Sequence, residues 1–295
     1  SIAIGTLAGA GTLGLLIPPS IIMIVYGVTA NVSIAQLFIA GVFPGLLLAS
    51  LFMAYTIGWS LLHPDQIPPA DQNMTFLQKL DASRNLIPVI SLITAVLGSI
   101  YTGLATATEA AGLGVVGAMV IAAIQGEMNW KNFRDSLLGA TRLYCMIALI
   151  LAGAAFLTLA MGYIGLPRHL AEWIGGLGLS PLALVMALMA FFIILGCFLD
   201  GISIIVLTMG ILLPTIEKAG IDLIWFGIYV VLVVEMAQIT PPVGFNLFVL
   251  QGMTKKEITW LARHSMPMFF LMVGAVLLIY FFPGIITWLP QHMAG

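Results

Sequence analysis

The residues of this chain best placed to do chemistry stand at two interruptions of apolar sequence, each centred on a Pro-Pro pair. The first is Ile17-Pro18-Pro19-Ser20, preceded by Gly11-Thr12-Leu13-Gly14; the second is Gln238-Ile239-Thr240-Pro241-Pro242, followed by Gly244 and Asn246. A proline donates no N–H and its ring clashes with the preceding turn, so two in succession unwind a helix and free carbonyls one turn earlier. At membrane depth such backbone is tolerated only where it lines a protein-enclosed or water-filled site. A hard cation such as sodium takes oxygen ligands, and freed carbonyls supply them without a buried counter-charge. The first interruption therefore offers Gly11, Thr12, Gly14, Pro18 and Ser20 to a sodium or substrate site. The second offers Gln238, Thr240, Pro241, Gly244 and Asn246, joined by Asp200, Gly201 and Ser203 from a shorter break at Asp200-Gly201. Each residue also has a plainer reading. A Pro-Pro pair can simply kink a helix, a glycine can serve close helix packing, and the Thr240 hydroxyl can bond back to a carbonyl of its own helix.

Three acids lie in apolar surroundings, Glu109, Asp200 and Glu235, and an intramembrane carboxylate is by default a functional candidate. Asp200 ranks first because it sits at a break, where it could offset the charge of a bound ion. Glu109 follows Thr106-Ala107-Thr108, a good helix-opening signature, so capping competes with any other role. Glu235 stands about one turn before the second break, and a proton-coupled group and a packing partner remain equally open. His63, His169, His264 and His292 lie near segment ends without convergent acids, and Cys145 and Cys197 sit in apolar runs without metal spacing. With no nucleophile–base pair and no second deep aspartate, an intramembrane enzyme is disfavoured, and no catalytic residue or cofactor is expected.

These residues must be held by membrane helices. The 295-residue chain is 61% hydrophobic and 7% charged, with mean hydropathy +1.13, against about 25% charged residues in soluble domains. Its net charge of −2 and lack of a basic stripe exclude nucleic acid as a partner. Apolar runs of roughly twenty residues match the thickness of a bilayer. They predict segments at 4–29 (broken), 34–62, 86–103, 110–125, 143–163, 224–253 (broken) and 266–289, with an apolar pair at 182–199 and 202–213. Charged loops fall between them, one with Asp65, Asp71, Lys79, Asp81 and Arg84, another with Glu127, Lys131, Arg134 and Asp135. Arg142 and the six tryptophans Trp59, Trp130, Trp173, Trp225, Trp260 and Trp288 are expected to be interface anchors.

Cytoplasmic loops keep an excess of Lys and Arg. If the first segment ends outside, Lys79, Arg84, Lys131, Arg134, Arg142, Lys255, Lys256 and Arg263 fall inside, against Arg168 and Lys218 outside. The arm 202–213 is too short to cross, so the pair around Asp200-Gly201 is expected to be a re-entrant hairpin open to the outer face. The two broken segments then run in opposite directions, the pattern of an inverted-repeat transporter with its sites at the breaks.

The sequence resembles the large membrane subunit of the TRAP (tripartite ATP-independent periplasmic) transporters, the DctM-type permeases, over essentially its whole length. The resemblance is carried by the stretch from Gly11 to Ser20 and by Tyr101-Thr102-Gly103-Leu104-Ala105-Thr106-Ala107-Thr108-Glu109-Ala110-Ala111. It continues in Gly196-Cys197-Phe198-Leu199-Asp200-Gly201 and in the stretch from Gln238 to Phe248. Two departures stand out: family members usually carry Glu or a neighbouring Pro near Asp200-Gly201, and Ala107 stands where proline is common.

The resemblance implies an all-α polytopic membrane protein of the inverted-repeat, elevator type, similar to the ion transporter superfamily. It implies sodium-driven import of small organic acids of the C4-dicarboxylate or sialic-acid class, with sodium as coupling ion. The implied partners are a small Q-type membrane subunit and a periplasmic P-type binding protein that delivers substrate. Residues 1–32 would form the first broken helix, 33–179 the scaffold and arm, 180–253 the hairpin and second broken helix, and 254–295 a C-terminal span. The expected location is the bacterial inner membrane, with the C-terminus periplasmic. Family members are longer and carry an earlier hairpin; because Ser1 is not an initiator, the chain is expected to lack the N-terminal part, including half of the first ion site. Competing readings are an anion permease working without a binding protein and a channel-like subunit.

Overall fold

The computed structural model describes residues 2–64, 75, 78, 83–242 and 244–292. Asp65, Asp71, Lys79 and Asp81 of the predicted loop and Val243 of the second motif lie outside them. The described residues fold as helices α1 (Ile2–Leu16), α2 (Ile21–Ala30), α3 (Ile34–Leu62), α4 (Ile87–Tyr101), α5 (Ala107–Ile124), α6 (Trp130–Ile164) and α7 (Leu166–Gly176). They continue with α8 (Pro181–Gly196), α9 (Gly201–Lys218), α10 (Leu223–Gln238), α11 (Phe245–Thr254), α12 (Ile258–Phe281) and α13 (Gly284–Gln291). By length and composition five of them can cross a membrane, α3, α5, α6, α9 and α12, and a sixth span results if α1 and α2, bent by 42° at the first Pro-Pro break, count as one.

Local chemistry sets the ends. Ser20 caps α2 through a bond from Met23 N (3.4 Å), and Asn31 closes it in the left-handed conformation. Thr106 and Glu109 form a reciprocal capping box on α5, which settles the sequence ambiguity at Glu109 in favour of capping. Ser180 caps α8, with Pro181 in its first turn, and Asp222 caps α10 through Trp225 N at 2.8 Å.

Four predicted boundaries are corrected. Helix α6 begins at Trp130, so Lys131, Arg134, Asp135 and Arg142 are helical and Arg142 does not open the segment. That stretch holds neither proline nor an early glycine, and Asn129 caps it through Asn132 N at 2.9 Å. Helix α7 lies where no element was predicted, separated from α6 by Gly165 at φ +75°; its charged Arg168 and Glu172 hid it from a search for apolar runs. The second hairpin arm, α9, is 18 residues long, so the argument that it is too short to cross does not stand. The last predicted span is two helices that meet at Phe282 and Pro283, the first starting at Ile258.

The chain divides into two compact units, Ser1–Phe52 with Thr141–His292, and Met53–Ala140 with Met293–Gly295. In the second, α4 packs along α5. In the first, α10 is the hub and is covered by α1, α2, α8, α9, α11, α12 and α13, leaving nearly all of its residues buried. Three side-chain to backbone bonds pin it: Tyr26 Oη donates to Leu223 O (2.7 Å), Tyr229 Oη to Val185 O (2.6 Å) and Trp225 Nε1 to Ile279 O (3.1 Å). Trp225 is thus a buried packing residue, 7% exposed, and not the interface anchor expected. Lipid tails are as apolar as helix surfaces, so close packing must hold such helices together. Small residues permit it: a Cβ added at Gly5 would stand 2.2 Å from His264 O on α12.

Candidate functional site

Three interruptions converge in the first unit. At the first, Ile17 N still reaches Leu13 O at 2.8 Å, but Pro18 and Pro19 have no N–H for Gly14 O and Leu15 O, which are left without helical partners. Pro18 and Ser20 are buried, and the Pro18–Pro19 peptide is cis. At the second, Ile239 N and Thr240 N fall back on Met236 O and Ala237 O at 3.2 and 3.1 Å. The Pro241–Pro242 peptide is also cis, and Gly244 takes φ +39°. There a Cβ would press on Thr240 O at 2.9 Å, so glycine is required twice over, by conformation and by space. The Thr240 hydroxyl donates to Met236 O at 2.7 Å, the back-bond weighed as its plainer role.

The third interruption is the tip between α8 and α9. Cys197 Sγ donates to Pro241 O at 3.1 Å and so ties the tip to the second break. Gly201 is buried, and a Cβ there would meet Ile22 of α2 at 2.6 Å, Val234 at 2.7 Å and Gln238 Nε2 at 3.7 Å. The tip thus rests on both broken helices. The two broken helices also touch directly, because the Cβ position of Gly11 lies 3.5 Å from Asn246 Nδ2, a buried donor without a partner. Gly11, Gly201, Gln238, Pro241, Gly244 and Asn246 are thereby brought together, with Thr240 beside them.

Others stand apart. Gly14 has no neighbour within 4 Å of its Cβ position. Asp200 is exposed and caps α9, accepting from Ile202 N (3.1 Å), Ser203 N (3.3 Å) and the Ser203 hydroxyl. Thr12 is fully buried against α10, and its hydroxyl donates to Gly9 O at 2.8 Å. A cleft of about 740 Å³ between α2, α6 and α9, lined by Thr29, Thr158 and Gly210 among apolar residues, contains none of the predicted site residues. The Cys197 contact was missed by sequence reading, which found both cysteines in apolar runs without metal spacing; its only signal was its place beside the break, and Cys145 is exposed.

The motifs led one to expect a separate site at each break, whereas the broken helices and the hairpin tip share one set of contacts; comparison with known families decides the family. The family model for the DctM component of tripartite ATP-independent periplasmic transporters matches residues 1–285. The chain belongs to the DctM family. The C4-dicarboxylate TRAP transporter large permease protein DctM of Pseudomonas aeruginosa is 32% identical over 98% of this chain and 67% of its own length. The isethionate TRAP transporter permease protein DctMQ of Oleidesulfovibrio alaskensis is also 32% identical, over 98% of this chain and 45% of its own length. The sialic acid TRAP transporter permease protein SiaT of Haemophilus influenzae is 29% identical over 97% of this chain and 46% of its own length. The chain therefore spans between about half and two-thirds of the length of these relatives. DctM relatives of this kind are named as transporter permeases, not enzymes.

Proposed function

We propose that this DctM-family chain is the site-bearing part of a sodium-coupled importer of small organic acids, working in the bacterial inner membrane with its C-terminus periplasmic. The reading rests chiefly on the contact of both broken helices with one hairpin tip, Gly201 against Ile22 and Gln238 and Cys197 on Pro241 O, and on their contact with each other at Gly11 and Asn246. Freed carbonyls at such a junction suit a monovalent cation. Sodium and substrate are held by Gly11, Gly14, Pro18 and Ser20 on one side and by Gly201, Gln238, Thr240, Pro241, Gly244 and Asn246 on the other, while Asp200 and Ser203 are engaged in capping α9. Thr240 contributes through its carbonyl, which borders the turn at Gly244.

The broken helices and hairpin move as an elevator against the remaining helices. Organic acid is received from a P-type periplasmic binding protein, and a small Q-type membrane subunit braces the permease. The fused name DctMQ of one relative supports the second partner. Relatives named for isethionate, C4-dicarboxylate and sialic acid are each 29–32% identical to this chain, which supports a common ion mechanism with selectivity set largely by the binding protein. The test is uptake of C4-dicarboxylates and sialic acid by the full-length permease reconstituted with its partners, under an imposed sodium gradient. Accumulation that requires both sodium and the binding protein is expected. Uptake without the binding protein would favour a stand-alone permease, and equilibration without accumulation a channel.

A further inference from the structure

Among the described residues one charged side chain is fully buried, Glu235 on α10. Neither of its carboxyl oxygens has a hydrogen-bond partner. The polar groups facing it are the hydroxyl of Thr12 and the backbone N–H of Leu16, both on α1 and neither aligned for a bond. The Thr12 hydroxyl has one proton, and that proton goes to Gly9 O at 2.8 Å. Towards Glu235 it therefore presents lone pairs. Two acceptors facing each other in a dry interior need a proton or a cation between them, because an unpaired buried carboxylate is among the costliest groups a fold can hold. No protein cation stands there. The charged or titratable groups on the helices around α10 are Tyr26, Glu217, Lys218, Arg263, His264 and Tyr280, and none faces the Glu235 carboxyl. Asp200, ranked first from sequence, is exposed and occupied by its own helix terminus.

We propose that Glu235 and Thr12 are ligands of a buried sodium ion where α10 crosses α1, with the Glu235 carboxylate supplying the negative charge that a site built from carbonyls lacks. The proposal rests on the sodium-coupled reading above and adds its charged ligand. Glu235 on a sodium forms a neutral pair, which an apolar interior tolerates far better than either ion alone. Thr12 lies less than one turn before the carbonyls of Gly14 and Leu15 that the prolines leave without helical partners, so occupancy here is felt directly at the first break.

The experiment uses the purified full-length permease, with sodium exchanged for potassium at constant ionic strength. Infrared difference spectra are expected to show a sodium-specific shift of carboxylate stretching bands in the parent, absent in Glu235→Gln. Radioactive sodium binding should weaken about tenfold or more in Glu235→Gln, since ligand charge sets the affinity of oxygen-ligand cation sites, and less in Glu235→Asp and Thr12→Val. If Glu235→Gln does not fold, the parent spectrum decides. A band of protonated carboxylic acid that persists at saturating sodium and moves in Glu235→Asp would make the occupant a proton and overturn the proposal. So would parent-like sodium affinity in Glu235→Gln, or a parent spectrum without a sodium-specific carboxylate change. Sodium-driven uptake alongside any of these would leave the coupling reading intact; sodium binding at Glu235 without sodium-dependent uptake would sink that reading and leave the site standing.

Discussion

Substituting Gly196 by alanine tests the junction between the hairpin tip and the second break. The added Cβ would stand 2.2 Å from Ala237 Cβ and 3.1 Å from Ile204 Cδ1. Carbon atoms prefer separations of about 3.5–4.0 Å, so α8 and α10 must part by more than about 1 Å, because Ala237 Cβ cannot rotate aside. Overpacking of this kind costs about 1–3 kcal/mol. The same displacement pulls Cys197, the next residue, off Pro241 O, its partner at 3.1 Å. Replacing Ala237 by glycine removes the obstructing atom and costs only about 0.5–1 kcal/mol of helix propensity. Combining Gly196→Ala with Ala237→Gly should therefore return stability close to that of Ala237→Gly alone. The assay is the apparent unfolding midpoint of all four proteins in one detergent, with sodium affinity measured beside it; a positive coupling of about 1–2 kcal/mol is expected for residues in contact. Parent-like stability of Gly196→Ala, or simple additivity of the two changes, would refute the packing on which the junction depends.

Thr240→Val removes a hydroxyl whose proton goes to Met236 O, so it should lower stability by about 1 kcal/mol and leave sodium affinity unchanged; markedly weaker sodium binding would make the hydroxyl itself a ligand. Asp200→Ala should destabilise α9 by about 0.5–2 kcal/mol while Asp200→Ser largely preserves it, as for a helix cap, and hydrogen exchange at Ile202 and Ser203 reads the difference. Thr106→Ala should fray the first turn of α5 and raise exchange at Glu109 N; unchanged protection would contradict the capping box. Arg168 holds the Glu172 carboxyl below its ordinary range, its hydrogen bond at 2.9 Å being the main cause. The stabilisation is thus present above the unfolded-state value and is lost as pH falls through the folded one, so Glu172 should titrate at higher pH in Arg168→Gln.

The breaks were legible because proline chemistry is local: Pro18, Pro19, Pro241 and Pro242 interrupt helices wherever they are placed, and the boundaries of α3 coincide with the apolar run at 34–62. Amphipathic and charged helix was not legible from apolar runs, which is why α7 and the first turns of α6 were missed. Within the site, glycine and proline positions could be named, but side-chain engagement could not. Whether Asp200 faces an ion or its own helix terminus, and whether Glu235 is exposed or sealed, depends on which helices pack against α9 and α10, and those come from distant parts of the chain. The same holds for Trp225, whose place near a segment end suggested an anchor and whose burial follows from α12.

The burial of α10 bears on how the protein is made. A helix covered by seven others has no face for lipid in the finished fold, yet it must enter the bilayer before all of its neighbours exist, since α11, α12 and α13 are synthesised after it. An acid within a lone inserting helix carries a penalty of up to about 2.5–3.5 kcal/mol on translocon-derived scales, and Thr12, the hydroxyl that will face Glu235, left the ribosome more than two hundred residues earlier. Helix α1 must therefore stay within lateral reach during synthesis, and closure of the α1–α10 contact is a late assembly event.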